Sequence, residues 1–308
     1  MADRPFRFAV SQPFAAAQTG TAPVPELARR VEADGFDLFH VADHLGMPSP
    51  FPMLAAAATA TTDLRLGTLV CNNDFWNPVL LAREAATLAL LSDGRFELGL
   101  GAGHAEVEYR AAGIPYDRPA VRARRLAEAV PSIRRLLAGE TVTAEGEFHE
   151  LVEASLGIAP PDPVPLLVGG NGDQVLEVAA READTVGLTG FLSGTGQTHT
   201  DLTHFTWDGM AERIDHVRTA AGARFADLEL QVLVQLVAVG DRKTLASEIA
   251  AAFEQPADLL LDSPFVMLGS VDDLVDQCAR LREAGVTALA AFDGRGADQL
   301  APVIARVK

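Results

Sequence analysis

Hydrophobic and polar positions follow one repeated order along this chain. An amphipathic helix ends at a glycine, and an apolar strand follows within one or two residues. Glycine suits the left-handed backbone that ends many helices, and regular alternation of helices and strands is typical of a parallel sheet. Three stretches of this form are residues 27–41, 87–100 and 274–292, with Gly35, Gly94 and Gly285 at the junctions.

The pattern predicts eight strands with helices between them. Eight such strands favour an α/β fold of the (β/α)₈ TIM-barrel type, with a doubly wound sheet as the alternative. We expect a single domain over residues 1–308, with two insertions at the C-terminal face: a hairpin within 140–163 and a loop within 190–207. The predicted strands are residues 6–12, 36–41, 65–70, 96–100, 166–168, 185–188, 230–237 and 288–292.

Composition narrows the class of partner. The chain has 308 residues, with 25 basic and 42 acidic side chains and a net charge of −17. Nucleic-acid binding favours a basic surface, so this balance argues against a nucleic-acid partner. Neither a signal-peptide pattern nor an apolar run of roughly 20 residues is present, so we predict a cytoplasmic protein without a membrane partner. Cys71 and Cys278 provide no disulfide framework and no metal-ligand spacing.

Polar residues that follow strand two are candidates for acid–base chemistry. In a barrel of this type the active site lies at the C-terminal ends of the strands. Asp43 and His44 fall at such an end. Histidine titrates near neutrality, and a carboxylate can set its tautomer and orientation. The alternative is that Asp43 caps a helix and His44 has no catalytic role.

A second candidate is the glycine-rich segment Gly169-Gly170-Asn171-Gly172, which precedes a predicted helix near Asp173. Backbone amides at a helix N-terminus form an anion site, so this segment predicts phosphate binding, with an ordinary tight turn as the alternative. Thr189 and Gly190, at the next strand end, would add a hydroxyl and an amide.

The fourth predicted strand ends in Gly99, Gly101 and Gly103. This G-x-G-x-G spacing differs from the dinucleotide-binding G-x-G-x-x-G, which opens directly into an apolar helix. We therefore expect a strand whose end lets a ligand approach its backbone. His104 is the first side chain after it, and a metal site there is disfavoured because no second histidine follows at helical spacing.

Five arginines gather shortly after this strand. They either form an anion-binding cluster or lie as solvated charges on a helix, and the second interpretation is favoured because exposed charges usually have little effect. These residues are Arg110, Arg118, Arg122, Arg124 and Arg125.

Five segments together resemble one enzyme family. They are residues 35–44, 66–88, 91–103, 108–115 and 165–184, and 91–103 (LSDGRFELGLGAG) is the most specific. They are similar to the bacterial luciferase-like superfamily, in particular to its branch that uses the deazaflavin coenzyme F420.

The resemblance implies a barrel with a flavin-like ring in its mouth, a non-prolyl cis peptide at Leu69–Val70, and a homodimer. It implies catalytic roles for Asp43 and His44. Some relatives carry glutamate or tryptophan at the position of His104, so proton donation from that position is reassigned to His104. It also implies that the cofactor contacts Thr68, Leu69, Val70, Asn72, Gly101, Gly103, Gly169, Gly170, Asn171, Gly172, Thr189 and Gly190.

The implied activity is F420-dependent hydride transfer to or from a small organic substrate. The alternative is an FMN-dependent monooxygenase that uses reduced flavin and oxygen. A barrel without catalytic function is disfavoured because Asp43, His44 and the glycine-rich segments are present. The residues after His44, Leu-Gly-Met-Pro, lack the tryptophan of the sugar-phosphate dehydrogenases in the branch, which argues against that substrate.

Overall fold

Fifteen strands in the described part of the chain build the sheets of this protein. The computed structural model describes residues 4–11, 24–190, 192–193, 200–253, 256–292 and 296–308. In chain order the strands are β1 (Arg7–Ser11), β2 (Leu38–Val41), β3 (Arg65–Thr68), β4 (Cys71–Asn72), β5 (Phe96–Gly101), β6 (Val142–Glu145), β7 (Glu150–Ala154), β8 (Leu166–Gly170), β9 (Thr185–Leu188), β10 (Leu192–Ser193), β11 (Thr200–Asp201), β12 (Glu229–Val234), β13 (Leu236–Val239), β14 (Val266–Gly269) and β15 (Ala288–Phe292).

Eight of these strands close into a parallel barrel. Their order is β3-β2-β1-β15-β12-β9-β8-β5, and β3 pairs again with β5 through Leu66↔Phe96 and Gly67↔Glu97. The predicted TIM barrel is confirmed, and the doubly wound alternative is wrong because such a sheet stays open. β4 continues beside β5 after the Leu69–Val70 peptide, which is cis as the resemblance implied.

Helices surround the barrel and bury their apolar faces against it. Three of them begin with proline, which suits the first helical turn because its nitrogen needs no partner there. Within the described residues, no helix has the length and apolar character to cross a bilayer. The α-helices are Val24–Ala33, Pro50–Ala58, Pro78–Leu91, Glu106–Ala112, Pro119–Leu137, Asp173–Glu182, Trp207–Ala221, Arg242–Phe253, Ala257–Leu261, Val271–Glu283 and Ala301–Val307.

The barrel interior changes character from one end to the other. At the N-terminal end of the strands, Arg7 and Arg65 pair with Glu97, and Arg7 also pairs with Glu229. A small apolar cluster lies further along, built from Ala9, Leu38 and Ala290 with Leu69 and Leu233 packed against it. The sequence predicted apolar strands, but the strands are not uniformly apolar. Alternate residues of a strand point into the barrel, and some of these are charged.

Three other expectations have different outcomes. The predicted hairpin forms from β6 and β7, and the carboxylate of Glu128 accepts the backbone N–H groups at its turn. The predicted seventh strand, 230–237, is wrong in extent, because β12 ends at Val234 and β13 pairs with β14 outside the barrel. Residues 191 and 194–199 of the predicted loop 190–207 lie outside the described residues.

Candidate active site

A cavity of about 390 Å³ opens at the C-terminal ends of the barrel strands. All of the predicted site residues except Thr68 and Gly190 line it. The predicted strand ends therefore meet, since parallel strands of a closed barrel present their C-terminal ends to one mouth. Further lining residues are Ala42, Ala102, Ala105, Glu108, Pro119, Arg122, Val175, Gly187, Gln231, Leu233, Gln235 and Phe292.

Thr68 and Gly190 contribute to packing beside the cavity. The hydroxyl of the buried Thr68 donates to the Gly99 carbonyl and accepts the Gly99 N–H, each at 2.8 Å. This exchange ties β3 to β5 and satisfies the hydroxyl. A Cβ at Gly190 would lie 2.4 Å from the Phe265 ring, so glycine is needed there for close packing.

The carboxylate of Asp43 lies at the cavity wall. Its Oδ2 accepts the indole N–H of Trp76 at 2.7 Å and the backbone N–H of Asn72 at 3.4 Å. Burial raises the pKa of Asp43, and these hydrogen bonds oppose that rise because they favour the ionised form. Asp43 therefore holds a proton up to a higher pH than a solvated aspartate does.

His44 and Glu108 form a contact across the cavity wall. His44 Nδ1 lies 2.7 Å from Glu108 Oε1, and both side chains are mostly buried. An ionised carboxylate can only accept, so a neutral His44 directs its Nδ1–H to Glu108 and carries its basic lone pair on Nε2. The carboxylate that orients this histidine is therefore Glu108, which comes from the helix Glu106–Ala112.

His104 stands next to His44. Their ring centroids are 5.3 Å apart with an interplanar angle of 84°, an edge-to-face arrangement. Loss of hydration beside the cavity wall lowers the pKa of His104, and the neighbouring His44 lowers it further. The structure thus brings the three predicted catalytic residues, Asp43, His44 and His104, to one side of the cavity.

Glycines of β5, of β8 and of the segment after β5 make room for neighbouring side chains. A Cβ at Gly101 would lie 2.6 Å from Val70 Cγ2, and a Cβ at Gly169 would lie 3.2 Å from Val70 Cγ1. Gly103 has a positive φ of 74°, and a Cβ there would lie 2.0 Å from the Tyr109 hydroxyl. Close approach of Val70 and Tyr109 therefore requires glycine at positions 101 and 103, and both glycines also line the cavity.

The glycine-rich segment begins inside β8 and ends at a helix. Gly169 and Gly170 are strand residues, and Gly172 precedes the helix Asp173–Glu182. Asn171 is 3% exposed and lines the cavity, and neither its Oδ1 nor its Nδ2 has a hydrogen-bond partner among the described residues. Buried amides are normally paired, so this orphaned amide beside a helix N-terminus indicates a ligand-binding position.

A buried tyrosine fixes the segment that follows the cis peptide. The Tyr109 hydroxyl lies 3.0 Å from Asn72 Oδ1 and 3.1 Å from Asp74 Oδ2. Arg125 Nη1 donates to the same Asp74 oxygen at 2.6 Å. Burial raises the pKa of Tyr109 well above its usual value, so it stays protonated. Asn72 therefore presents its side chain to the cavity from a position set by Tyr109.

Two lining residues carry chemistry that the sequence interpretation missed. Glu108 received no role from the sequence, but it lies on a helix and contacts His44. Arg122 was interpreted as a solvated charge, but it is 3% exposed. Acidic residues at positions 106 and 108 would have supported the first turn of a helix here. No group of histidine, cysteine, aspartate or glutamate in the described ranges could hold a metal ion.

Comparisons with known proteins agree with this architecture. The family model described as luciferase-like monooxygenase matches residues 6–259. A solved F420-dependent secondary alcohol dehydrogenase, in complex with an F420–acetone adduct, superposes with a TM-score of 0.78 at 21% identity. The superposition covers 99% of this chain and 100% of that chain, and at this identity the likeness establishes the fold.

Two sequence relatives are both named F420-dependent glucose-6-phosphate dehydrogenase. The protein from Beutenbergia cavernae is 30% identical over 313 residues, which covers 91% of this chain and 90% of the relative. The protein from Intrasporangium calvum is 36% identical over 193 residues, which covers 59% of this chain and 56% of the relative. The second match therefore spans little more than half of that relative's length.

Proposed function

The chain belongs to the luciferase-like monooxygenase family, and from that premise we propose that it is a coenzyme F420-dependent oxidoreductase. Its substrate is a small organic molecule. The observation that carries the proposal is a group of acid–base side chains on one side of a cavity lined by glycines. These side chains are His44, Glu108, Asp43 and His104. The F420-dependent relatives in the same family support the choice of cofactor.

The residues of the cavity fit a flat ring with a polar tail. Leu69, Val70 and the glycines of β5 and β8 form a wall with little side-chain bulk. The unpartnered amide of Asn171 and the N-terminus of the helix Asp173–Glu182 suit an anionic tail. When bound, a deazaflavin supplies hydride transfer and the protein supplies orientation and protons.

Acid–base work falls to the residues around His44. Glu108 holds the His44 ring so that Nε2 is its basic nitrogen. His104, with its lowered pKa, is neutral near pH 7 and can accept a proton beside His44. Asp43, with its raised pKa, can donate one from the same wall.

The competing function is an FMN-dependent monooxygenase, which the family name keeps open. The two cofactors differ in chemistry, because FMN can activate oxygen and a deazaflavin mainly passes hydride. Titration of the full chain with F420, with FMN and with the phosphate-free ribityl deazaflavin, followed by fluorescence quenching, separates them. We expect the tightest binding for F420; tight FMN binding with no response to F420 would overturn the proposal.

A matched pair of variants tests the tail site. Asn171→Asp places a negative charge beside the proposed tail and should weaken F420 binding about tenfold or more. It should leave binding of the phosphate-free ribityl deazaflavin unchanged. Asn77→Asp is the control, because Asn77 caps the helix Pro78–Leu91 through its side-chain oxygen, a role that aspartate also fills. Equal weakening of both ligands by Asn171→Asp would refute the tail position.

We also propose that the protein is a cytoplasmic homodimer and that residues 1–308 form one domain. The dimer rests on the family resemblance, the location rests on the apolar pattern of the sequence, and the domain assignment rests on the absence of a linker-like segment in the sequence. Light scattering of the purified chain tests the oligomeric state, and limited proteolysis tests the domain assignment. A monomer at micromolar concentration would refute the first, and two stable fragments would refute the second.

A further inference from the structure

Arg122 holds a buried positive charge in the wall of the cavity. It is 3% exposed, and among the described lining residues it supplies the one guanidinium or ammonium group. In the described part of the chain it forms no salt bridge. The next arginines along the same helix differ, because Arg124 pairs with Glu147 and Arg125 pairs with Asp74 and Asp117.

The contacts of Arg122 leave much of its hydrogen-bonding capacity unused. Nη1 donates to the Asp117 carbonyl at 2.5 Å, and Cζ lies 4.3 Å from the centroid of the Tyr116 ring. Nε is buried and has no hydrogen-bond partner among the described residues. A guanidinium has five N–H donors in a planar fork that matches a carboxylate or a phosphate. The guanidinium of Arg122 is therefore held against the Tyr116 ring, and only some of its N–H donors are used by described residues.

An unpaired buried cation is unfavourable, because its hydration is lost and no opposite charge replaces it. Buried arginines are accordingly almost always paired. Bidentate binding of an oxyanion by arginine is among the stronger charge-assisted contacts. The buried, unpaired guanidinium of Arg122 thus indicates that a negatively charged group of a ligand pairs with it.

The position of Arg122 connects it to the acid–base side of the cavity. Tyr116, on which Arg122 stacks, donates its hydroxyl to the backbone carbonyl of His104 at 3.0 Å. The charge of Arg122 also contributes to the lowered pKa of His104. An oxyanion held by Arg122 would therefore lie near the proton-transferring residues.

Building on the proposed function, we propose that Arg122 binds a carboxylate or phosphate group that a ligand carries into the cavity beside His104. This oxyanion has two sources: an acidic organic substrate, or the anionic tail of the deazaflavin. In either case Arg122 is a binding residue that selects for negative charge in a chain whose net charge is −17. The test therefore measures oxyanion binding first and its source second.

The first experiment follows the histidine imidazole signals of the full chain by NMR during titration with inorganic phosphate. The His104 signals are assigned by their loss in His104→Gln. In the wild type we expect a saturable shift of these signals. Arg122→Gln should weaken this phosphate binding about tenfold or more, and Arg122→Lys should weaken it less because the charge remains. Arg124→Gln is the matched control on the same helix and should bind as the wild type does.

The melting temperature distinguishes a ligand-binding role of Arg122 from a purely structural one. Removing an unpaired buried charge should leave the melting temperature without phosphate near that of the wild type, and phosphate should raise that temperature less in Arg122→Gln than in the wild type. If Arg122→Gln does not fold, the comparison of Arg122→Lys with Arg124→Gln provides the same test. Equal phosphate responses in Arg122→Lys, Arg122→Gln and the wild type, or no response in the wild type, would overturn the proposal.

The second experiment identifies the source of the oxyanion. Quenching titrations compare F420 with the phosphate-free ribityl deazaflavin in the wild type and in Arg122→Gln. Weaker binding of F420 alone assigns the oxyanion to the cofactor tail, and unchanged binding of both assigns it to the substrate. Absence of F420 binding in the wild type would refute the proposed function, while the phosphate result for Arg122 would stand on its own.

Discussion

The two ends of the barrel interior contain the same kinds of charged side chain and use them differently. At the N-terminal end, Glu97 Oε1 lies 2.7 Å from Arg7 Nη1 and 2.5 Å from Arg65 Nε, and Glu229 pairs with Arg7. At the C-terminal end, the charged residues line a cavity and have fewer partners of opposite charge. The residues at this end are Asp43, His44, His104, Glu108 and Arg122.

The pKa shifts follow from this difference in pairing. Burial alone would raise the pKa of Glu97, but Arg7 and Arg65 hold it below its usual value. Burial raises the pKa of Asp43, where a single indole and a backbone amide oppose the rise. Glu97 at the paired end thus stays ionised, whereas Asp43 at the cavity end is protonated more easily than a solvated aspartate. The pairing of buried charges with opposite charges, more than the type of residue, decides which end supports structure and which supports chemistry.

The largest expected effect comes from removing the base at the cavity end. His44→Gln should lower kcat by about 10²–10⁴-fold, because general acid–base groups contribute on this scale. Glu108→Gln should lower it similarly, and the double variant should be little worse than either, since the pair acts as a unit. Turnover of a substrate found by screening, together with F420 affinity, provides the measurement. Unchanged kcat in His44→Gln would remove its catalytic role.

Breaking the paired end should instead lower stability. Glu97→Gln removes the shared partner of Arg7 and Arg65 and should reduce the free energy of unfolding by about 3 kcal/mol or more. Denaturant unfolding measures this loss, and F420 affinity should stay the same. Glu84→Gln is the control, because the exposed Arg83–Glu84 pair should contribute within about 0.5 kcal/mol. Equal effects of the two substitutions would contradict the comparison.

His40, also inside the barrel, tests the cost of a charge without a partner. It is 1% exposed, and burial lowers its pKa to about 4. Between pH 6.5 and 4 the unfolded chain therefore binds a proton at His40 that the native protein does not. Stability should fall as the pH falls through this window, by up to about 3 kcal/mol from this group. His40→Gln should flatten this dependence in denaturant unfolding; an unaltered slope would show that other groups cause it.

The smallest effect should come from Trp76→Phe. The indole N–H donates to Asp43 and opposes the rise of its pKa, so its removal should raise that pKa further. Phenylalanine retains an aromatic ring against Phe51, so the fold should be preserved. The carboxyl stretching bands of Asp43 in infrared spectra across pH report the shift, with Asp43→Asn for assignment. A lower or unchanged midpoint would mean that the indole bond does not favour the ionised form.

Much of the fold followed from residue patterns. Glycine at helix ends and regular helix–strand alternation predicted eight strands, and these strands close the barrel. The predicted extent of the seventh strand was wrong because residues 230–239 are apolar almost without interruption. No local signal therefore marks where the chain leaves the barrel and pairs with another strand. Pairing of Leu236–Val239 with Val266–Gly269 is decided by chain segments that are far apart in sequence.

Some residues of the candidate site could be predicted from the sequence and others could not. Asp43, His44, His104 and Asn171 could be predicted because each falls at a strand end, and strand ends of a barrel share one mouth. Glu108 and Arg122 could not be assigned, because their roles depend on the orientation of helices that follow the strand. Glu108 contacts His44 across 64 positions of sequence, and Arg122 is buried by the tertiary fold.

The sequence by itself determined the barrel, the strand ends that surround its mouth and the family resemblance, because these depend on periodicity and on short segments. The tertiary structure decided which charges meet. It paired Arg7 and Arg65 with Glu97 at one end, joined His44 to Glu108 at the other, and left Arg122 buried without a carboxylate partner among the described residues. The physical reason is that pairing and desolvation depend on distances between side chains, and helix packing brings together residues that lie far apart in sequence.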